Sequence, residues 1–299
     1  MPSAPDSRTR LVVPLLIAFL CLVWGSTWWA IRVCLEAQPP LFSAALRFAL
    51  AAATMALLVP ALRRFDQKPA PPTWLWLATG AGSFAGSYGI LYVAEQHVPS
   101  GIAAVLWAVF PLLMAVSGVF VLGEKLTGRQ FAGFLVSFFG IVALFVGDLG
   151  NPGSTLIVEP ALLLLGSPIV SAVSTTLIKK YGSNSSSVLL NRNSMLFGAV
   201  LLAGAALLRE DPAAIRWTWS SSLALVYLAV VGTAFTFGIY FWLLQRVPAS
   251  RLSLVSYVTP VLAMLLAELV GDGKADAYAW IGTGFVVAGV ALVVTRRKA

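Results

Sequence analysis

Charged side chains are scarce in this sequence. They make up 11% of its 299 residues, whereas soluble domains carry roughly 25%. Hydrophobic residues account for 59%. A soluble globule of this size could not bury so much apolar surface, so the composition predicts a protein that is embedded in a lipid bilayer.

The motifs of several classes of membrane protein are absent as well. The sequence has no Walker A motif for ATP hydrolysis, no His-Glu-x-x-His helix, no Cys-x-x-Cys pair and one histidine in all. A membrane-embedded enzyme would need ionisable groups inside its apolar segments, and this chain has almost none. We therefore expect no catalytic activity, no metal and no cofactor. Cys21 and Cys34 lie ~20 Å apart along one predicted helix, too far to form a disulfide.

A basic face is missing too, although the formal charge is +8. The 20 Lys and Arg residues form short clusters between apolar runs, so we expect no nucleic-acid partner. If the N-terminus is cytoplasmic, fourteen of them fall in inner segments and only four in outer segments, namely Arg32, Arg209, Arg216 and Lys274. This asymmetry predicts that both termini face the cytoplasm.

The sequence does contain ten apolar segments that are long enough for spans of ~17–25 residues. They cover roughly 11–34, 41–62, 73–94, 99–122, 128–147, 157–179, 186–208, 220–244, 250–270 and 276–295. The first is too long for the ~7–15-residue apolar region of a secretory signal and has no convincing cleavage site, so we interpret it as a retained span. Clusters of proline and glycine separate several of the segments.

The stretch from Gly80 to Leu144 occurs twice. Shifted by 149 positions, it aligns with itself, so that Gln96 falls on Gln245 and Pro111 on Pro260. Such self-similarity indicates a duplicated unit, with halves at 1–150 and 151–299. Each half holds five spans, an odd number, so the halves must cross the membrane in opposite senses. The charges agree, because the loop at 96–100 has no Lys or Arg while its counterpart at 245–251 has two arginines.

The predicted fold is therefore an all-α membrane protein of ten transmembrane helices, arranged as two inverted five-helix repeats around a central cavity. Inverted repeats suit alternating access, in which a site near the midplane faces one side of the membrane and then the other. A channel needs no such symmetry. A receptor would call for a large extramembrane domain, and the connections here are short.

Several motifs resemble the drug/metabolite transporter superfamily, EamA type. They are LVWGSTW at 22–28, AALRF at 44–48, GEKLT at 123–127 and the glycine pair Gly133/Gly140 that follows. The resemblance covers essentially the whole chain and, within the family, is greatest to a bacterial exporter of aromatic amino acids. It implies a ten-helix bundle that exports neutral amino acids or other small metabolites. Relatives that carry phosphorylated cargo have basic residues in the later spans, and spans 8 to 10 here have none.

Candidate cargo-binding residues are aromatic and hydroxyl side chains that recur at helical spacing. In lipid, a helix face with indoles and hydroxyls turns inward, because acyl chains offer their polar atoms no partner. Helix packing and the interfacial belt of Trp and Tyr are the alternative explanations. The cavity residues predicted on this basis are Trp24, Trp28, Tyr88, Trp107, Tyr240, Ser253 and Tyr257.

Prolines, glycines and arginines within spans have separate interpretations. Pro111 and Pro260 should each kink a helix, either as hinges or as static bends. The glycines at 133, 140, 282 and 289 should let helices approach closely. Arg47 and Arg192 lie near enough to span ends to snorkel to the interface, with a role at the cavity mouth as the alternative.

Energy coupling is the least determined property. Spans 1 and 6 lack an acidic residue, and Glu95 and Glu268 fall near outer span ends, where we expect ordinary hydrated carboxylates. The sequence therefore favours facilitated diffusion of aromatic or large apolar amino acids through a monomeric transporter of the bacterial inner membrane. The alternative is a multidrug or other small-metabolite exporter, with proton coupling left open.

Overall fold

The computed structural model describes residues 7–149, 158–244, 254–273 and 275–294. Helices are its only regular structure, and these residues contain no strand. The α-helices are α1 (Ser7–Leu35), α2 (Pro40–Leu62), α3 (Thr73–Thr79), α4 (Tyr88–Glu95), α5 (Ser100–Trp107), α6 (Phe110–Leu122), α7 (Gly128–Leu149), α8 (Val158–Tyr181), α9 (Ser187–Arg209), α10 (Trp219–Val226), α11 (Thr236–Leu244), α12 (Leu254–Val270) and α13 (Ala277–Val294).

Six helical segments among the described residues are long and apolar enough to cross a membrane. They are Val12–Leu35, Pro40–Leu62, Ser100–Leu122, Gly128–Val146, Val158–Tyr181 and Ser187–Arg209. All six fall on spans that the sequence predicts. Their apolar side chains point outward as well as inward, with Leu57 82% and Phe120 84% exposed, as expected where lipid is the solvent.

Local sequence sets where these helices begin and end. Pro40 occupies the first turn of α2, where its missing N–H costs no hydrogen bond. The Ser186 hydroxyl caps α9 by accepting from Leu189 N. α6 ends at Gly123, whose φ of 70° is in the left-handed region that favours glycine.

Two segments widen into π-helix. Gly80–Ser87 (π1) joins α3 to α4, and Tyr227–Phe235 (π2) joins α10 to α11. The wider turn changes the direction of the side chains that follow it, and such stretches are frequent at functional sites. In π2 the Thr233 hydroxyl donates to Leu228 O, five residues back, at 2.7 Å. The π-helices therefore set which faces of α4 and α11 point into the bundle.

α7 and α13 cross at glycines, as the sequence predicts. A Cβ atom on Gly140 would lie 2.7 Å from Gly282 O, and one on Gly133 would lie 2.6 Å from Gly289 O. Early residues of one helix thus contact late residues of the other, so the two helices are antiparallel. Close packing of backbones replaces the hydrophobic effect, which is weak between helices in lipid.

The other helices form a connected bundle. α2 packs along α9, α1 along α12 and α10, and α8 along α6, α4 and π1. Glu210 joins one end of the α2–α9 pair, because its carboxylate accepts from Leu41 N at 2.7 Å and from Phe42 N at 2.8 Å. One large core cluster runs through these contacts and includes Trp28, Phe48, Phe84 and Tyr92.

Candidate functional site

The predicted cavity residues form three groups of side chains inside the bundle. Trp28 meets Trp107, Trp24 meets Tyr240, and Tyr88 meets Arg47. Ser253 lies outside the described residues. Tyr257 belongs to α12, but its side chain is also outside what the structure describes.

The first group joins α1, α5 and α8. The rings of Trp28 and Trp107 are 6.3 Å apart, and Trp107 stacks on Phe110 at 4.9 Å with 14° between the planes. The Trp107 indole donates to Ser167 Oγ at 3.2 Å, and Ser167 shares a 2.9 Å hydrogen bond with Ser87. An aromatic wall with a satisfied indole N–H results, which is a suitable surface for stacking a flat apolar ligand.

The second group joins α1 to α11. The Trp24 indole donates to Thr236 Oγ1 at 3.1 Å, and the Trp24 and Tyr240 rings are 5.6 Å apart. Thr233, Thr236 and Tyr240 follow one another at spacings of three and four residues, which places them on one face of the eighth span. Trp24, Thr236 and Tyr240 thus contact one another between α1 and α11.

The third group surrounds Arg47 of α2, which does not snorkel. Its side chain is 3% exposed, so the sequence-based placement at the outer interface is wrong. Its Nε donates to Thr233 Oγ1 and its Nη1 to Tyr92 OH, both at 3.3 Å. The guanidinium carbon lies 5.0 Å from the centre of the Tyr88 ring and 5.6 Å from that of Phe48.

These contacts explain how a charge is tolerated inside the bundle. A charged side chain within a span costs ~2.5–3.5 kcal/mol or more. Two cation–π contacts contribute ~0.5–2 kcal/mol each, so they offset a cost of this order. No carboxylate of the described residues lies within 4.0 Å of the guanidinium. The ion pairs among these residues are Arg32–Asp272 and Lys179–Glu124.

Arg192 differs from Arg47. It is partly exposed, and its Nε and Nη2 both donate to Asn193 Oδ1, at 3.0 and 2.7 Å. Its placement at the membrane interface stays a prediction.

Glu95 also departs from expectation. The sequence suggests a hydrated carboxylate at the end of the third span, yet Glu95 is 0% exposed. Neither carboxyl oxygen has a hydrogen-bond partner among the described residues. The expectation fails because residues from distant parts of the chain cover the end of α4.

Arg32 contacts the end of α4 and is itself joined to Asp272. Arg32 Nη1 donates to the carbonyl oxygens of Glu95 and Gln96, at 2.9 and 2.7 Å, and Arg32 Nε lies 3.5 Å from Asp272 Oδ1. The other Asp272 oxygen accepts from Ser100 N at 3.0 Å. The ends of α1 and α4, the start of α5 and the loop before α13 are thereby joined.

A second ion pair joins another helix end to a loop. Lys179 Nζ lies 2.8 Å from Glu124 Oε1, joining the end of α8 to the loop before α7. Its side chains are 58% and 51% exposed, against 32% and 13% for Arg32 and Asp272. The Arg32–Asp272 pair is therefore more buried than the Lys179–Glu124 pair.

The two prolines have different effects. Pro111 follows a break at Ala108–Val109 between α5 and α6, so the predicted bend is present there. Without an N–H, Pro111 leaves the Trp107 carbonyl without its usual helical donor. Pro260 lies inside the continuous helix α12.

Sequence reasoning missed several residues of these groups. Phe110 and Ser167 carried no signal, because single aromatic or hydroxyl residues in an apolar helix are common, and Phe48 entered only as part of the AALRF motif. Tyr92 stands four residues after Tyr88, and this spacing pointed to a shared face.

Comparisons with known proteins find relatives over nearly the whole chain. A model of the EamA-like transporter family matches residues 12–146 and again 159–295. The chain is 32% identical to the "Uncharacterized inner membrane transporter YedA" of Escherichia coli strain K12, over 96% of this chain and 92% of that protein. It is 28% identical to a "Probable amino-acid metabolite efflux pump" of the same strain, over 95% and 94%.

A solved crystal structure is also similar. It is 23% identical and superimposes with a TM-score of 0.66, covering 94% of this chain and 96% of its own. At this identity the likeness supports the fold alone.

Proposed function

Because the chain belongs to the EamA-like transporter family, we propose that it exports neutral amino acids, aromatic or large apolar ones, from the cytoplasm across a bacterial inner membrane. Transport proceeds by alternating access without ATP, in a monomer whose termini both face the cytoplasm. The observation that carries this proposal is the interior aromatic wall of Trp28, Trp107 and Phe110. The name of the amino-acid efflux relative supports the same cargo class.

The architecture that we propose is two inverted five-helix repeats, 1–150 and 151–299, which make ten spans in all. Its support comes from the α7–α13 crossing. The Ser137 hydroxyl donates to Val286 O at 3.2 Å, and these residues are 149 positions apart, the period of the repeat. Equivalent positions meet in this way where a two-fold axis passes between them. Since the two helices are antiparallel, that axis runs perpendicular to them and hence in the membrane plane.

Other features support the same axis. The contact of α1 with α12 has its equivalent in that of α8 with α6. π1, shifted by 149 positions, overlaps π2. The Arg32–Asp272 and Lys179–Glu124 pairs stand within two residues of equivalent positions. We propose that these pairs close the outer and inner ends of the cavity in turn, with Pro111 and Pro260 as hinges.

Cysteine labelling tests the inversion at equivalent exposed positions. Thr127 and Asp276 are 149 residues apart and both exposed. A membrane-impermeant maleimide should label Asp276→Cys in intact cells but Thr127→Cys only after permeabilisation. The buried Cys21 and Cys34 should give little background. Labelling of both positions from one side would overturn the inverted topology.

Transport in proteoliposomes tests the function. Unlabelled tryptophan is loaded inside, and radiolabelled tryptophan, phenylalanine, threonine or a cationic drug is supplied outside without an ion gradient. We expect saturable uptake of tryptophan and phenylalanine that internal tryptophan stimulates at least ~5-fold, since a carrier returns faster when loaded. Uptake that neither saturates nor responds to internal tryptophan would indicate a channel instead.

The buried Glu95 favours one alternative, a proton-coupled exporter of drugs or other metabolites. Ionisable groups shielded inside a membrane protein often serve as proton carriers. In that case a pH gradient should accelerate transport in the wild type, and Glu95→Gln should remove the acceleration while leaving exchange intact. Glu268→Gln is the control. Equal rates with and without the gradient in the wild type would exclude this alternative.

A further inference from the structure

We propose that Arg47 is the anchor for a carboxylate on the cargo, so that the transporter selects amphiphilic acids, amino-acid zwitterions included, over the corresponding amides and amines. This inference rests on the proposed function and deepens it. Composition and spacing suggested only structural anchoring or a place at the cavity mouth for this residue.

The first reason is the incomplete use of the Arg47 donors. A guanidinium carries five N–H groups in a planar fork that matches a carboxylate in a bidentate manner. Here the bonds to Thr233 and Tyr92 are long, at 3.3 Å, and both acceptors are neutral hydroxyls. Charge-assisted bonds to a carboxylate are shorter, ~2.7–2.9 Å, and stronger, so an entering carboxylate can replace the hydroxyls.

The second reason is charge. Buried cations normally have an anionic partner, and no carboxylate of the described residues reaches within 4.0 Å of Arg47. Aromatic faces and hydroxyls contact the guanidinium directly, and the buried Glu95 interacts with it only from beyond ion-pair distance. The site therefore keeps a positive charge that a cargo can neutralise.

The third reason is position. Tyr88, whose ring lies against the guanidinium, directly follows Ser87 in the chain. Ser87 bonds to Ser167, which in turn accepts from the Trp107 indole. Trp28 and Phe48 also belong to one core cluster, against which Tyr88 and Trp107 pack. A cargo with its carboxylate on Arg47 would thus border the same cluster as the aromatic wall. Aromatic and large apolar acids fit this combination.

Arg47 also joins three segments of the bundle. It lies on α2 and contacts Tyr92 of α4 and Thr233 of π2. In the conformation described it is 3% exposed, so the carboxylate must enter when these segments separate. Binding would then favour their closure around the loaded site, since a ligand shifts the population toward the state that it binds better.

The experiment compares three probes that share an indole: tryptophan, tryptophanamide and indole-3-propionate. Binding is measured on the purified wild-type protein in detergent by the shift in Tm, and transport by counterflow in proteoliposomes. The wild type should prefer tryptophan to tryptophanamide at least ~10-fold and should also be stabilised by indole-3-propionate. Arg47→Gln should raise the half-saturating tryptophan concentration roughly 10–100-fold and reduce the preference to about 1, because it removes the charged partner.

Arg192→Gln is the matched control, since its side chain bonds only to the neighbouring Asn193 among the described residues, and it should behave as the wild type. Arg47→Lys keeps the charge but loses the fork, and should retain the preference with ~10-fold weaker binding. If Arg47→Gln does not fold, Arg47→Lys and the comparison of the three probes on the wild type still decide whether Arg47 anchors the carboxylate.

The outcomes separate the two proposals. Equal binding and transport of tryptophan and tryptophanamide by the wild type would overturn the anchor and leave amino-acid export standing. An equal loss of binding for both probes in Arg47→Gln would have the same meaning. Arg47-dependent binding of indole-3-propionate without tryptophan transport would support the anchor and overturn amino acids as cargo. No stabilisation by either carboxylate would overturn the anchor.

Discussion

Gly140→Leu should prevent the protein from folding. A Cβ atom at this position would lie 2.7 Å from Gly282 O and 2.8 Å from Val286 N, both backbone atoms that cannot rotate away. A leucine would force α7 and α13 apart along their whole crossing. Overpacking usually costs ~1–3 kcal/mol, and a clash with backbone should exceed that range.

The measurement is the yield of monodisperse protein after detergent extraction, together with its Tm. Gly140→Leu should leave no folded peak, and Gly140→Ala should lower Tm by several degrees. The control is Gly284→Leu on α13, where a Cβ would meet nothing within 4 Å. Wild-type yield and Tm for Gly140→Leu would mean that the helices do not cross at these glycines.

Trp107→Ala should reduce tryptophan transport most strongly among the predicted cavity residues. Trp107 stacks on Phe110, contacts Trp28 and bonds to Ser167, so its removal opens the aromatic wall and releases a buried hydroxyl. We expect the half-saturating tryptophan concentration to rise roughly 10–100-fold, with a smaller effect on threonine, which has no ring to stack. Trp107→Phe keeps a ring and should retain part of the affinity.

Initial counterflow rates over a range of tryptophan concentrations supply this measurement, with Tm recorded for every variant. Large-to-small changes in a core also cost stability, so only folded protein should be compared. Trp219→Ala serves as the control, because that side chain is 81% exposed near a helix end. Unchanged tryptophan kinetics in a folded Trp107→Ala protein would show that the aromatic wall does not contact cargo.

Several elements were predictable from the sequence because their causes are local. Apolar runs of sufficient length predict α1, α2, α7, α8 and α9, and prolines and glycines mark the ends of several helices. The spacing of Trp24 and Trp28 on one helix face predicted an inward orientation, since indoles in lipid need polar partners. The glycines of α7 and α13 predicted close packing for a similar reason.

Arg47 and Glu95 show where such reasoning fails. Counting residues from a helix end estimates depth in the membrane, but burial depends on which other segments cover that end. Arg47 contacts Tyr92 of α4 and Thr233 of π2. The end of α4 at Glu95 is contacted by Arg32, which pairs with Asp272 from the opposite end of the chain. None of these neighbours is close in sequence.

The sequence alone therefore determined that this protein is helical and embedded in a membrane, and it supplied the prediction of an aromatic cavity. Each of these properties follows from hydrophobicity, spacing and charge within a single segment. Only the tertiary structure decided that the guanidinium of Arg47 lies among aromatic rings, that Trp28 faces Trp107 and that Arg32 pairs with Asp272. Such contacts depend on the rotation and order of helices far apart in the chain, and those are set by the packing of the whole bundle.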